Sequence, residues 1–259
     1  MGTHVKPLRR ILEFLLIYAC GIGGLLGIKA AFRLSDYLIP SAGELLTTAA
    51  ENGWRYTEAV ADTAVVAVAG HGFSILLAVT VAFVGISRSF LGALTKTAAY
   101  NLQAFPVVAI APILFIFLGD GITSRILVAS LVCYFPLLLT FIGIFAQPVE
   151  DVEHFFSMTG RLTRRLALGI RVFENAGKIL AVIAGSGTMA MVGSIVAEFL
   201  VATNGIGYVI RKALYQSNLA HILVSLFFIG LFSSLYISII ELMGRAVQKR
   251  LDPVEDTPA

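Results

Sequence analysis

Apolar runs of about 20 residues, the length a helix needs to cross the hydrocarbon of a bilayer, recur six times along this chain. They occupy residues 11–32, 63–86, 100–118, 122–145, 179–203 and 219–243. Hydrocarbon offers no water to backbone N–H and C=O groups, so each run must satisfy its own hydrogen bonds as a helix or join a closed barrel. Barrel strands are about ten residues long and alternate strictly between apolar and polar side chains, which these runs do not. Of the 259 residues 58% are hydrophobic and only 14% charged, and the mean hydropathy is +0.87. The expected fold is all-α, a polytopic membrane protein with six transmembrane helices.

An even number of crossings puts both termini on one side, and lysine and arginine mark the cytoplasmic side. Lys6, Arg9 and Arg10, then Arg88 and Lys96, then five bases between residues 147 and 178, then Arg245, Lys249 and Arg250 all fall together under that arrangement. The loop between the first two runs instead carries Asp36, Glu44, Glu51, Glu58 and Asp62 against Arg33 and Arg55, which suits the exterior. The net charge of +3 thus reads as a topology signal, and no basic stripe interleaved with aromatics points to nucleic acid. The apolar run after Arg9 and Arg10 exceeds the 7–15 or so residues of a signal-peptide core and is expected to stay as a membrane helix. Cys20 and Cys133 lie in apolar runs, where a thiol behaves as a small hydrophobe.

Residues 147–178 form the longest polar interruption. Within them, 152–158 reads as a short helix, Gly160 as its stop, and Arg161, Arg164, Arg165 and Arg171 as a cluster too costly to leave in hydrocarbon. Earlier in the chain, Ser41 with Glu44 forms a capping box that should start a short interfacial helix ending at Asn52-Gly53. Pro106, Pro112 and Pro136 interrupt helical ladders; a simple kink is the commoner outcome, and the alternative is a packed or cavity-lining position where neighbours satisfy the freed carbonyls. Ala181, Ala184, Gly185, Gly187, Ala190 and Gly193 make the fifth run suited to close helix contact. Glu198 in the same run is expensive unless paired or wetted; it reads equally as part of a pathway or as half of an ion pair, with Arg125 or Arg211 as partner.

The chain carries no engine of its own. A phosphate-binding loop needs Gly, four residues, then Gly-Lys-Ser/Thr, whereas Gly177-Lys178 is followed by Ile179 and preceded at the required position by Val172. His4, His71, His154 and His221 are scattered, without the paired spacing of a helical zinc site, so no metal is expected. His71 reads as a hydrogen-bonded interior histidine, and Gly185-Ser186-Gly187 as part of a small-residue helix rather than a nucleophile turn. A membrane-embedded enzyme would show converging titratable groups, and a secondary carrier repeated halves with ionisable midplane residues; neither pattern is present.

The order of these features resembles the transmembrane permease subunit of binding-protein-dependent ABC importers, in particular the nitrate, sulfonate and taurine branch. The resemblance covers most of the chain. It is carried by Leu38-Ile39-Pro40-Ser41, by Ala104-Phe105-Pro106 to Pro112, by Leu118-Gly119-Asp120-Gly121, by Phe135-Pro136, and most strongly by Ala197-Glu198-Phe199 with Gly205-Ile206-Gly207-Tyr208. The family's cytoplasmic Glu-Ala-Ala signature, followed by Gly, falls on His154, Phe155, Phe156 and Gly160; where the family commonly has two prolines, this chain has Phe173 and Gly177.

The resemblance implies a type I importer permease with an N-terminal helix region (1–62), a permease core (63–245) containing the coupling loop (147–178), and a cytoplasmic tail (246–259). It further implies an inner-membrane homodimer that binds two ATPase subunits carrying ATP and Mg, and receives a solute from a binding protein outside. His154, Phe155, Phe156, Met158, Gly160, Arg161, Arg164 and Arg165 would couple to the ATPase, the aromatics as buried anchors and the arginines as rim. Pro106, Pro112, Glu198, Gly205, Gly207 and Tyr208 would line or gate the path. The branch suggests a small anion such as a sulfonate, taurine or nitrate; relatives also carry thiamine-precursor pyrimidines, riboflavin and aromatic acids.

Overall fold

The computed structural model describes residues 7–87, 89–102 and 106–251. Every regular element among them is helical: α1 (Pro7–Phe32), α2 (Ala42–Gly85), α3 (Phe90–Leu102), α4 (Val107–Leu118), α5 (Ile122–Ala146), α6 (Glu150–Met158), α7 (Arg164–Glu174), α8 (Ala176–Leu200), α9 (Ile206–Tyr215) and α10 (Leu219–Leu251). Helices α1, α2, α5, α8 and α10 contain the segments long and apolar enough to cross a membrane.

The expected crossing at 100–118 is not a single helix. Helix α3 ends at Leu102 and α4 begins at Val107 with Pro106 as its N-cap. Proline donates no N–H and disfavours helical backbone in the residue before it, so the ladder breaks there. The 12 residues of α4 span about 18 Å, little more than half the hydrocarbon thickness. Gln103, Ala104 and Phe105 of this run lie outside the described residues, as do His4, Lys6 and Arg88.

The interfacial helix is not separate either. Ser41 caps a helix start as expected, accepting the Glu44 N–H at 3.2 Å, but the helix continues through Asn52-Gly53 for 44 residues. Tertiary burial outweighs the weak local propensity of that dipeptide. Tyr56, Ala59 and Val60, just beyond it, are buried with Ile206 and Val224, and Asn52 turns its amide back onto the Thr48 carbonyl at 3.2 Å.

Helices α2, α5 and α8 form the centre, each packed against the other two. Small residues make this possible. A Cβ on Gly70 of α2 would lie 2.8 Å from the Ala129 Cβ, and one on Gly193 of α8 would lie 2.9 Å from the Ala129 Cα, so both helices close on one fully buried alanine of α5. In lipid such backbone approach supplies the dispersion contacts that hold helices together. Larger apolar side chains, including Leu137, Leu138 and Phe141, fill the space towards α7.

Helix α10 covers α2 and α8, and α1 packs on α10 through Phe14, Tyr18 and Phe227. Elsewhere α1 leaves large apolar side chains such as Leu16 and Ile17 exposed. Helix α4 seats Ala111 and Phe115 against Val128 and Ala197. Both cysteines are free, Cys133 in the core and Cys20 exposed.

His71 is the interior, hydrogen-bonded histidine expected. The Ser186 hydroxyl donates to the Ile183 carbonyl at 3.1 Å, so its oxygen accepts the His71 Nε2–H at 2.9 Å. Nδ1 then accepts from the Tyr236 hydroxyl at 2.8 Å. One polar chain thus joins α2, α8 and α10, and the Gly185-Ser186-Gly187 segment serves it as part of a helix.

Replacing Gly193 with leucine should force α8 away from α5 and cost about 1–3 kcal/mol. The check is the melting temperature of the purified chain in detergent. Gly185, which meets nothing within 4 Å of a built Cβ, should accept alanine without such a loss.

Candidate functional site

Two polar clusters lie at opposite ends of the central helices. The first is the α6–α7 segment. Helix α6 starts with Glu150, Asp151 and Glu153, acids that suit the positive end of a helix dipole, and Glu153 reaches back to accept the Val149 N–H at 3.0 Å. The helix stops where the sequence places the stop. Gly160 adopts φ +68°, its N–H bonds the Ser157 carbonyl at 3.0 Å, and the Arg161 N–H bonds the Phe156 carbonyl at 3.0 Å. This paired closure needs a left-handed residue, which glycine adopts without strain.

Helix α6 stands on α7 and leaves one side uncovered. Phe155 is 64% exposed and Met158 77%; His154, Arg161, Arg164 and Arg165 are exposed, and Phe156 is half-buried with its ring edge-on to Phe155 at 5.5 Å. Of the eight residues expected here, only Phe156 puts much of its side chain into the protein. Phe155 and Met158 thus leave an apolar edge on a short helix without a cover among the described residues, and the helix is held from its other side.

It is held by a pair that spacing alone does not reveal. Arg171 of α7 donates from Nε to Glu153 Oε1 at 2.7 Å and from Nη2 to Oε2 at 2.8 Å. Its Nη1 donates to the Phe145 carbonyl in the last turn of α5, a group left without an intrahelical partner. The Arg171 N–H groups hold the Glu153 carboxyl below the usual carboxylate range, and Glu153 in turn raises the Arg171 guanidinium. Thr163 caps α7 by accepting the Leu166 N–H at 3.2 Å. Asn175 alone separates α7 from α8; its amide donates to the Arg171 carbonyl at 2.9 Å, and it accepts from Lys178 at 2.9 Å. Helix α6 is thus joined through one guanidinium to α5, and α7 through one residue to α8.

The second cluster centres on Glu198, which is fully buried near the end of α8. Its Oε2 accepts from the Thr63 hydroxyl of α2 at 2.7 Å and from the Gly207 N–H at the start of α9 at 3.0 Å. The Thr63 oxygen accepts the Ile206 N–H at 2.9 Å. A carboxylate facing the first N–H groups of α9 is a favourable dipole arrangement. The turn requires its glycines: Gly205 adopts φ +88°, with the Glu198 carboxyl where a Cβ would go, and a Cβ on Gly207 would meet the Glu198 Cβ at 2.7 Å.

Of the two cations expected near Glu198, Arg125 is the neighbour, with Nη1 3.9 Å from Oε1. That spacing leaves Arg125 Nε and Nη1 and Glu198 Oε1 buried without a hydrogen bond among the described residues. Arg211 has a different task. It caps α8 by donating to the Phe199 carbonyl at 3.1 Å and the Ala202 carbonyl at 2.6 Å, and lies 5.3 Å from the centre of the Tyr208 ring. Glu198, Gly205, Gly207 and Tyr208 are thus brought together. Pro106 and Pro112 are exposed on α4 and make none of these contacts.

Sequence reasoning missed Glu153. It sits among other acids at a helix start and 18 residues from Arg171, so no local signal distinguishes it. Thr63 was likewise invisible as the side chain that joins Glu198 to α9.

Comparison with known proteins agrees with this architecture. Residues 70–253 match the family described as binding-protein-dependent transport system inner membrane component. The chain is 26% identical over 235 residues to the formylaminopyrimidine transport permease protein of Halalkalibacterium halodurans, covering 88% of each chain. It is 33% identical over 115 residues to the riboflavin transport system permease protein of Chloroflexus aurantiacus, covering 43% of this chain and 41% of that one. A probable ABC transporter permease protein of Haemophilus influenzae is 27% identical over 187 residues, 68% of this chain and 72% of its own.

Breaking the Glu153–Arg171 pair by Arg171→Ala should cost about 3 kcal/mol, since it strands a mostly buried carboxylate. Because the Glu153 value is depressed on folding, the pair contributes fully above the unfolded carboxylate value of about 4.3 and is lost as pH falls through the lower folded value. Melting curves taken from neutral pH down to about pH 3 should show this loss in the wild type and not in Glu153→Gln. At the other end, Thr63→Val removes a donor to Glu198 and an acceptor for Ile206, and should lower stability by about 1–3 kcal/mol in the same assay.

Proposed function

The chain belongs to the family of binding-protein-dependent transport system inner membrane components, and from that membership we propose how its two ends divide the work. It is a multi-pass permease subunit of an ABC importer for a small solute, a transport subunit and not an enzyme. Such subunits work with an ATPase and a solute-binding protein. The end bearing α6 and α7 faces the cytoplasm with both chain termini, in the inner membrane, and α6 docks in the ATPase through Phe155, Phe156 and Met158 with Arg161, Arg164 and Arg165 around them. ATP and Mg bind the ATPase, not this chain.

The observation that carries this reading is the mount of α6: Phe155 and Met158 uncovered on a helix whose base is tied by Arg171 to α5 and α7. A partner that binds one arrangement of α6 better than another shifts the transmembrane helices by its differential affinity. A second copy of the chain completes the path, covering the exposed side of α4 at Pro106, Pro112 and Ile116. Glu198 and the Gly205–Tyr208 turn act as the outer gate, with the Arg125–Glu198 contact as its slack joint.

For the solute, the relatives' names favour a nitrogen heterocycle of the pyrimidine or flavin kind. A small anion such as sulfonate, taurine or nitrate, expected from the branch resemblance, finds no support among them. The binding protein sets the final choice, so ligand identification on that protein decides between these classes.

Phe155→Ala should weaken ATPase binding by about 30-fold or more, as for a buried interface anchor, and abolish solute-stimulated ATP hydrolysis in the reconstituted complex. Unchanged stimulation, or solute uptake by the lone chain in liposomes, would remove the docking assignment.

A further inference from the structure

The end opposite α6 carries a small polar pocket of about 230 Å³. Asn52 and Arg55 of α2, Tyr208 and Lys212 of α9, Gln216 beyond α9 and His221 of α10 line it. Its floor is fixed. Tyr56, 1% exposed, hydrogen-bonds His221 Nδ1 through its hydroxyl and stacks on Phe228 at 5.4 Å. The first turn of α9 is joined to α2 through the Thr63–Glu198–Gly207 hydrogen bonds, while its later half carries no such tie among those bonds.

Two observations define what such a pocket takes. The wall contains two cations, Arg55 and Lys212, and no carboxylate. Neither cation has an ion-pair partner among the described residues, although Glu51 and Glu58 lie one turn to either side of Arg55 on α2. The volume also falls below the 300 Å³ or so at which pockets begin to enclose whole organic ligands. This is space for a charged group, not for a fused-ring solute.

Its height excludes the lipid tails. The stretch of α2 from Gly85 back to Thr63 already covers about 33 Å, the full hydrocarbon thickness, and Arg55 lies about 12 Å further along the same helix. The pocket therefore opens to water beyond the bilayer core.

We propose that this pocket is a binding site for a single oxyanion group, a carboxylate or phosphate, held between Arg55 on α2 and Lys212 on α9. The guanidinium presents a planar fork of donors, the ammonium a mobile point charge, and the Asn52 and Gln216 amides and Tyr208 hydroxyl supply neutral donors around them. An anion in this place adds a second tie between α2 and the later half of α9, beyond the one Glu198 makes at its start. Occupancy favours the arrangement in which the two helices are close, by the difference in affinity between that arrangement and an open one. The inference rests on the transport reading only in placing the pocket on the solute-delivering side. The oxyanion has two sources there: a free anion, or an acidic side chain on the delivering protein.

The two sources separate in experiment. In the first arm, the full chain in detergent is titrated with acetate and with inorganic phosphate, following its melting temperature and the fluorescence of Trp54, its one tryptophan. A saturable rise abolished by Arg55→Gln with Lys212→Gln, and kept by Arg55→Lys, identifies a free anion. In the second arm, the complex with its ATPase in lipid nanodiscs is titrated with the binding protein. A loss of about fivefold in affinity per neutralised cation, and a steeper salt dependence in the wild type than in the double variant, identifies a partner carboxylate. If the double variant matches the wild type in both arms, the site does not exist. Failure of the ATPase to co-purify overturns the transport reading alone, since the first arm needs no partner.

Discussion

Three helices meet at Ala129, and the rest of the molecule is arranged around that contact. Between apolar helices in lipid, water supplies no drive to associate, so the energy comes from surfaces that approach closely enough for dense dispersion contact. Gly70 and Gly193 allow this from opposite sides of α5. The contact settles the spacing of α2, α5 and α8, and with it the space that the His71–Ser186–Tyr236 chain fills and the shelf on which α4 rests.

The two ends of this unit are fastened by the same chemical device in different strengths. At each, a buried carboxylate serves the start of a helix and faces an arginine. Glu153 and Arg171 meet in two short hydrogen bonds, with the third guanidinium nitrogen bonded to a carbonyl of α5. Glu198 and Arg125 stand 3.9 Å apart, with nitrogen and oxygen atoms left over. One junction is complete and the other is not. On the proposed cycle, the complete one carries force from α6 to the bundle, and the incomplete one sits where the bundle has to yield.

Much of this was legible in order along the chain. Five of the six apolar runs fall on helices long enough to cross, because hydrocarbon leaves the backbone no alternative, while the run at 100–118 is broken at Pro106. Ser41 and Gly160 marked a helix start and a helix end through chemistry confined to one turn. Residues 154–165 read as a short helix with an arginine cluster in a polar loop, and the structure places them at the surface; the relatives agree on a permease, while their names point to heterocycles and not to the anions expected.

What distance in sequence conceals, only the tertiary structure decided. The continuity of α2 through Asn52-Gly53 depends on Tyr56 being buried against α9 and α10. The pairing of Glu153 with Arg171, and of Thr63 with Glu198, joins residues 18 and 135 positions apart. The sequence by itself determined which segments are helices in lipid, since that follows from local hydropathy and hydrogen bonding. Which helices touch, and which polar groups complete one another where they do, depends on close packing between surfaces, a property no single segment contains.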